Sequence, residues 1–271
     1  MTVRLSVITD EIDPRLAPAL DVCDELGIRA VELRTVDGVR IVDHGREAVQ
    51  RIRRELDRRG VRVCAVASPF LKCSRKDDLV EQERVHERAL EVAAILSAPV
   101  VRAFSYWREA DPAAALPELG GVLGRAAARA NEAGVTLALE NEHECNVATS
   151  AEARAALVAA GSPDLRLIWD PGNAAMLDPG SFAGLAGLEG IVDRVVHVHL
   201  KDVSASGCWE RVGRGIVDFA ALLRHLAGAG YVGHLSFETH YQRDGSGELA
   251  TRDCVAALRS IADGASVELA A

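Results

Sequence analysis

Long apolar runs are missing from this 271-residue sequence. None approaches the roughly 18 residues that a membrane-spanning helix needs, so no membrane partner is expected. Aromatic residues are scarce, with three Trp, three Tyr and five Phe. Any core must therefore be aliphatic, and a hydrophobic content of 49% supplies it. A basic excess is also absent. The formal net charge of −9 disfavours a generic polyanion-binding surface, and nucleic acid is not an expected partner. The six cysteines (Cys23, Cys64, Cys73, Cys145, Cys208 and Cys254) form no CxxC pair. They read as reduced, mostly buried small hydrophobes of a cytoplasmic protein. The opening MTVRLSVITDEID has the pattern of a strand rather than of a charged-then-apolar leader.

What the sequence does contain is a strand–helix alternation repeated from end to end. Eight runs rich in Val, Leu and Ile read as buried parallel strands: VRLSVIT, IRAVELR, VRVCAVA, APVVRAF, VTLALENE, LRLIWDPGN, RVVHVHLKD and HLSFETH. Helical patterns separate them, including Ala-rich ones and a weaker Gly-rich stretch near 180–192. Gly27, Gly60, Gly134, Gly161 and Gly230 stand where helices should end. Eight alternations with short connections predict an α/β fold, a single (β/α)8 TIM barrel spanning residues 1–271. An open doubly wound sheet is the alternative, but no GxGxxG follows the first strand. The tail ASVELAA reads as a frayed end.

Four residues then stand out. Glu140, Asp170, His199 and Glu238 fall at or near the ends of strands five to eight, on the face where barrels of this type carry their active sites. Each alone has an ordinary structural use, as a helix cap or a satisfied polar group. Three carboxylates converging with an imidazole, however, repel one another unless a cation neutralises them. Oxygen-rich ligation with one nitrogen suits one divalent ion: Mn²⁺ first, with Mg²⁺, Co²⁺ or Zn²⁺ also compatible.

In HVHLKD, residues 197, 199 and 201 share one strand face. His199, nearer the mouth, is the expected ligand, and His197 lies a layer deeper, next to it or hydrogen-bonded in the core. Lys201 can reach a substrate oxygen, and Asp202 can hold that lysine or cap the next helix. In WDPGNA, the Pro171–Gly172 turn swings Asn173 over the mouth, where it contacts substrate or metal, or caps the next helix.

The motifs ALEN, WDPGN, HVHLKD, GRGIVDF and SFETH, with ITDEI at the start and VELR at strand two, resemble the xylose isomerase-like TIM-barrel superfamily. Within it the chain is similar to the sugar phosphate isomerase/epimerase group, and the resemblance covers essentially the whole chain. It implies a metal held by Glu140, Asp170, His199 and Glu238. It also implies that Glu140 and Glu238 act as the acid/base pair, one removing a proton next to a substrate carbonyl and the other returning it through a metal-stabilised enediolate. A sugar or sugar-like polyhydroxy carbonyl compound is the implied substrate, its phosphorylation state open.

Further mouth residues are candidates for substrate contact. Arg102 binds a substrate oxygen or pairs with Glu140. Trp107 and Phe70 form an apolar wall or pack loops. Arg214, between Gly213 and Gly215, belongs to a candidate gating loop. His240 lines the pocket or is solvated. The rival reading is a dehydratase of an inosose or 3-dehydroshikimate, which shares the first proton abstraction. An endonuclease IV-type repair enzyme needs an Asp-x-His pair where SGCWERVGRG has Gly207 and Trp209. A barrel that only binds a ligand would not need the intact four-residue set. Further copies of the chain, in a homo-oligomer, complete the expected partners.

Overall fold

All eight apolar runs form strands in the computed structural model, which describes residues 2–179, 185 and 187–270. They are β1 (Thr2–Ile8), β2 (Ala30–Leu33), β3 (Arg62–Val66), β4 (Val100–Ala103), β5 (Thr136–Glu140), β6 (Arg166–Trp169), β7 (Val195–Leu200) and β8 (His234–Phe237). Each pairs in parallel with its neighbour in the chain. β8 then returns to β1, with Arg4 opposite His234 and Val7 opposite Phe237, and the ring is closed. This is a (β/α)8 TIM barrel. Its helices are α1 (Leu16–Leu26), α2 (Arg46–Arg59), α3 (Leu79–Leu96), α4 (Leu116–Glu132), α5 (Ser150–Ala160), α6 (Pro171–Leu177), α7 (Phe219–Gly228) and α8 (Gly247–Ala265).

Local chemistry sets the boundaries. α1, α2 and α5 end on Gly27, Gly60 and Gly161 in the left-handed region. α5 opens with a reciprocal capping box between Thr149 and Glu152. α6 begins without any loop, because Asp170 caps it through Asn173 N–H and Pro171 supplies a preset φ. A Cβ on Gly172 would lie 2.4 Å from the Lys201 carbonyl oxygen. Only glycine lets α6 press against the end of β7.

Two apolar cores result. The larger fills the space between sheet and helices. The smaller, inside the ring, consists of Ala65, Val100, Ala138 and Ile168 with Val196 beside it. Strand side chains alternate faces, so Ala138 lies below Glu140, Ile168 below Asp170, His197 below His199 and Ser236 below Glu238. The barrel interior is thus narrow and apolar on one side and polar on the other.

The C-terminal tail differs from its expected frayed state. α8 continues to Ala265, and Glu268–Ala270 forms a ninth strand, β9, alongside β1. Val267 is buried and Leu269 half-buried against the core, and Glu268–Ala270 pairs in parallel with Thr2–Arg4, the part of β1 that precedes its pairing with β2. The weak helical stretch expected near 180–192 falls partly outside the described residues, and Leu188–Gly190 forms only a 3-10 turn. No helix among the described residues is long and apolar enough to cross a membrane.

Candidate active site

Glu140 ends β5, Asp170 follows β6, His199 is the penultimate residue of β7 and Glu238 follows β8. One ligand atom from each lies within 4.8 Å of all the others, and all four side chains are buried. His199 Nδ1 sits between the two glutamates, 2.9 Å from Glu140 Oε1 and 3.2 Å from Glu238 Oε2. Asp170 divides its oxygens: Oδ1 accepts from Asn173 N–H at 2.9 Å, while Oδ2 faces the Lys201 ammonium 3.0 Å away. Three hard oxygen donors and one imidazole converge on a single buried point. That donor set fits a divalent cation.

Cations from neighbouring strands hold the carboxylates. Lys201 Nζ lies 2.9 Å from Glu238 Oε2. Arg34 Nη1 donates to Glu238 Oε1 at 3.0 Å and Nη2 to Glu11 at 2.7 Å. Arg102 donates to Glu140 Oε2 at 3.0 Å. Burial pushes the Glu238 carboxyl up, but Lys201 and His199 more than offset it and hold it well below the usual range. Burial raises Asp170 to about 6, against the pull of Lys201. Burial lowers the His199 imidazole, yet the surrounding carboxylates of Glu140, Glu32 and Glu238 carry it well above its ordinary value. The cluster demands positive charge at its centre.

A family model for the xylose isomerase-like TIM barrel matches residues 20–261. The chain belongs to this family. No curated protein sequence matches it. Among solved structures it is similar to an L-ribulose 3-epimerase (TM-score 0.76, 19% identity, covering 98% of this chain and 96% of that one). It is also similar to IolI with a bound zinc atom (0.78, 17%, 97% and 99%). A third is the probable 3-DHS dehydratase AsbF of Bacillus anthracis (0.74, 14%, 96% and 98%). At these identities the likeness is one of fold.

Within this xylose isomerase-like barrel the other expected site residues are distributed unevenly. His197 lies a layer below the mouth and bonds Glu32 at 2.9 Å, which removes it from substrate reach. Lys201 is fully buried and engaged by Asp170 and Glu238. Asp202 neither holds Lys201 nor caps a helix. Its carboxylate accepts from the N–H groups of Val203, Gly213, Gly215 and Val217 and so ties down the loop after β7. A Cβ on Gly215 would lie 2.3 Å from Asp202 Oδ1, so the glycine there serves this tie. Arg214 is exposed on the same loop and makes no side-chain contact with the four central residues.

Asn173 is not the cap; Asp170 is. The Asn173 amide donates to Asn141 O at 3.0 Å and its Oδ1 meets His143 Nδ1 at 2.9 Å, so it orders the loop after β5. Arg102 pairs with Glu140, the second of its two expected uses. Phe70 forms no wall, because it turns outward to stack on His86. Trp107 is 41% exposed on the rim, beside Lys72. The aromatic nearer the centre is Trp209, whose ring lies 5.1 Å from Lys201 Nζ and bridges His143 and His240 at 5.6 and 5.5 Å. His240 Nε2 lies 3.5 Å from Glu238 Oε1.

Residue-by-residue reading missed Glu32, Arg34, Glu11, Glu142 and His143. For Glu32 and Arg34 the signal lay in VELR, where an acid and a base share one face of an otherwise apolar strand. Glu142 and His143 carry no periodic signal, since they belong to a loop. They come together at 2.6 Å, with Lys72 3.3 Å from Glu142.

Proposed function

We propose that the protein is a divalent-metal-dependent isomerase or epimerase of a sugar-like polyhydroxy carbonyl compound. One observation carries the reading: Glu140 and Glu238, from strands three places apart in the ring, flank His199 Nδ1 with a third carboxylate, Asp170, beside them. The four side chains would hold Mn²⁺ or a similar ion, which supplies electrophilic polarisation of a carbonyl when bound. Either glutamate can take a proton from the carbon next to that carbonyl, and the other can return it to the opposite face or to the adjacent carbon. Arg102, Arg34 and Lys201 set the orientation of both carboxylates, and Lys201 and Trp209 border the space above them. An epimerase and a zinc-bound protein among the structures of like fold agree with this reading.

The buried Lys201 ammonium favours one second reading, a dehydratase. From 2.9 Å beside Glu238 it is placed to protonate a departing hydroxide after the same proton abstraction. A panel of ketoses, inososes and dehydroshikimate with Mn²⁺ in heavy water separates the two. Deuterium wash-in with recovered or isomeric substrate marks the isomerase, and loss of water to a conjugated product marks the dehydratase. Glu238→Gln should abolish the exchange with the fold intact. Exchange persisting at the wild-type rate would remove Glu238 as the base.

A further inference from the structure

We propose that Glu32 is a positioning residue: it fixes the His199 ring so that Nδ1, and not Nε2, is the nitrogen offered to the cation. The inference rests on the metal reading above and adds a residue outside the four-ligand set.

Glu32 sits on β2, across the barrel from β7, and is fully buried. Its Oε2 lies 3.0 Å from His199 Nε2 and 2.9 Å from His197 Nε2. Its Oε1 has no hydrogen-bond partner among the described residues. The two imidazoles are therefore what this carboxylate binds. An ionised carboxylate only accepts hydrogen bonds, so both Nε2 atoms must donate. His199 is thus held through the proton on Nε2, which leaves Nδ1 as the nitrogen between Glu140 and Glu238; a bound cation would take the place of the proton that Nδ1 shares with those carboxylates.

His197 completes the device. Its ring meets that of His199 edge-on, with centroids 5.4 Å apart and planes at 87°. It gives Glu32 a second donor from a layer below, so the carboxylate cannot swing away from His199 without losing both bonds. A carboxylate behind a ligating histidine also raises the basicity of that ligand and restricts its rotation. Glutamine is a poor substitute: its amide oxygen can take the place of Oε2, but the negative charge behind the imidazoles is lost, and a buried NH₂ then occupies the place of Oε1, which has no partner among the described residues.

The test is calorimetric titration of Mn²⁺ and Zn²⁺ into metal-stripped wild type, Glu32→Gln, Glu32→Asp and Glu140→Gln. Glu32→Gln should bind roughly 10- to 100-fold more weakly, with Glu32→Asp in between. A second measurement needs no variant: ¹¹³Cd²⁺ added to wild-type protein carrying ¹⁵N-histidine should couple to Nδ1 of His199, with Nε2 protonated. Coupling through Nε2, or wild-type affinity in a folded Glu32→Gln, would overturn the role of Glu32 alone, provided Glu140→Gln loses the ion. Wild type that takes up no ion, or Glu140→Gln that binds as wild type does, overturns the metal site and this inference together. If Glu32→Gln does not fold, the cadmium coupling decides.

Discussion

Lys201 and Glu238 form a fully buried ion pair, ammonium to carboxylate at 2.9 Å, at the point where the barrel's charges converge. The same ammonium reaches Asp170 at 3.0 Å. Lys201→Met should therefore leave two buried carboxylates facing each other and cost about 3–5 kcal/mol in metal-free protein. A divalent ion supplies the missing charge, so added Mn²⁺ should raise the melting temperature of the variant more than that of wild type. Calorimetric scans with and without the ion check this. An equal loss in both conditions would mean that lysine and cation do not share a role.

Cation binding should stabilise the fold by simple mass action. At a hundredfold excess over its Kd the ion contributes about 2.7 kcal/mol, a rise of roughly 5–8 °C for a chain of this size. Glu140→Gln should lose most of that rise, as should wild type treated with a chelator. Thermal shift assays across a series of divalent chlorides read the effect and rank the metals.

The opposite end of the barrel carries a pH dependence of its own. Burial, with the charges of His197, Arg4 and Arg62, lowers the His234 imidazole to about 4. An unfolded chain takes up this proton near pH 6.5, before the folded protein does. Stability contributed by neutral His234 is thus complete above pH 6.5 and is lost as pH falls from there toward 4. His234→Gln should flatten the slope in that window. Urea midpoints of the two proteins between pH 4 and 7 give the comparison, and parallel curves would refute it.

The loop after β7 should depend on Asp202. Its carboxylate accepts four backbone N–H groups, and charged hydrogen bonds of this kind contribute about 1.5–3 kcal/mol each. Asp202→Ala should free residues 204–216 to proteolysis and amide exchange while the strands stay protected. Trp209 rides on this loop, so its fluorescence should shift toward that of exposed indole. Unchanged protection would show that the glycines alone shape the loop.

The fold was legible because each buried strand announced itself as a short aliphatic run, and several helix ends as a glycine. Strand parity placed His199 above His197, and the observed layers agree. Parity fails beyond strand ends, where Asn173, Asp202 and Arg214 take their positions from turns and backbone N–H groups. The tail gives little strand signal because ASVELAA holds a single β-branched residue, Val267, among alanines, and only pairing with the start of β1 makes it a strand. VELR marks Glu32 as a buried acid, but its pairing with His197 and His199 was hidden for a different reason. Its partners lie 165 and 167 residues away, and no local pattern encodes that distance.

Ring closure has a consequence for how the charges come together in time. Glu140, Asp170, His199 and Glu238 all lie in the later half of the chain, while Arg34, Arg102, Glu11 and Glu32 come from the earlier half. Glu238 stands just beyond the last barrel strand, and its partner Arg34 just beyond the second, on the far side of the β8–β1 seam. Until that seam zips, Glu238 lacks one of its counter-ions, Arg34, although Lys201 of the later half is already beside it. The mouth is therefore a register of completion: Glu238 gains its full set of partners only when the first and last barrel strands have met, and a misclosed chain would leave that carboxylate one cation short.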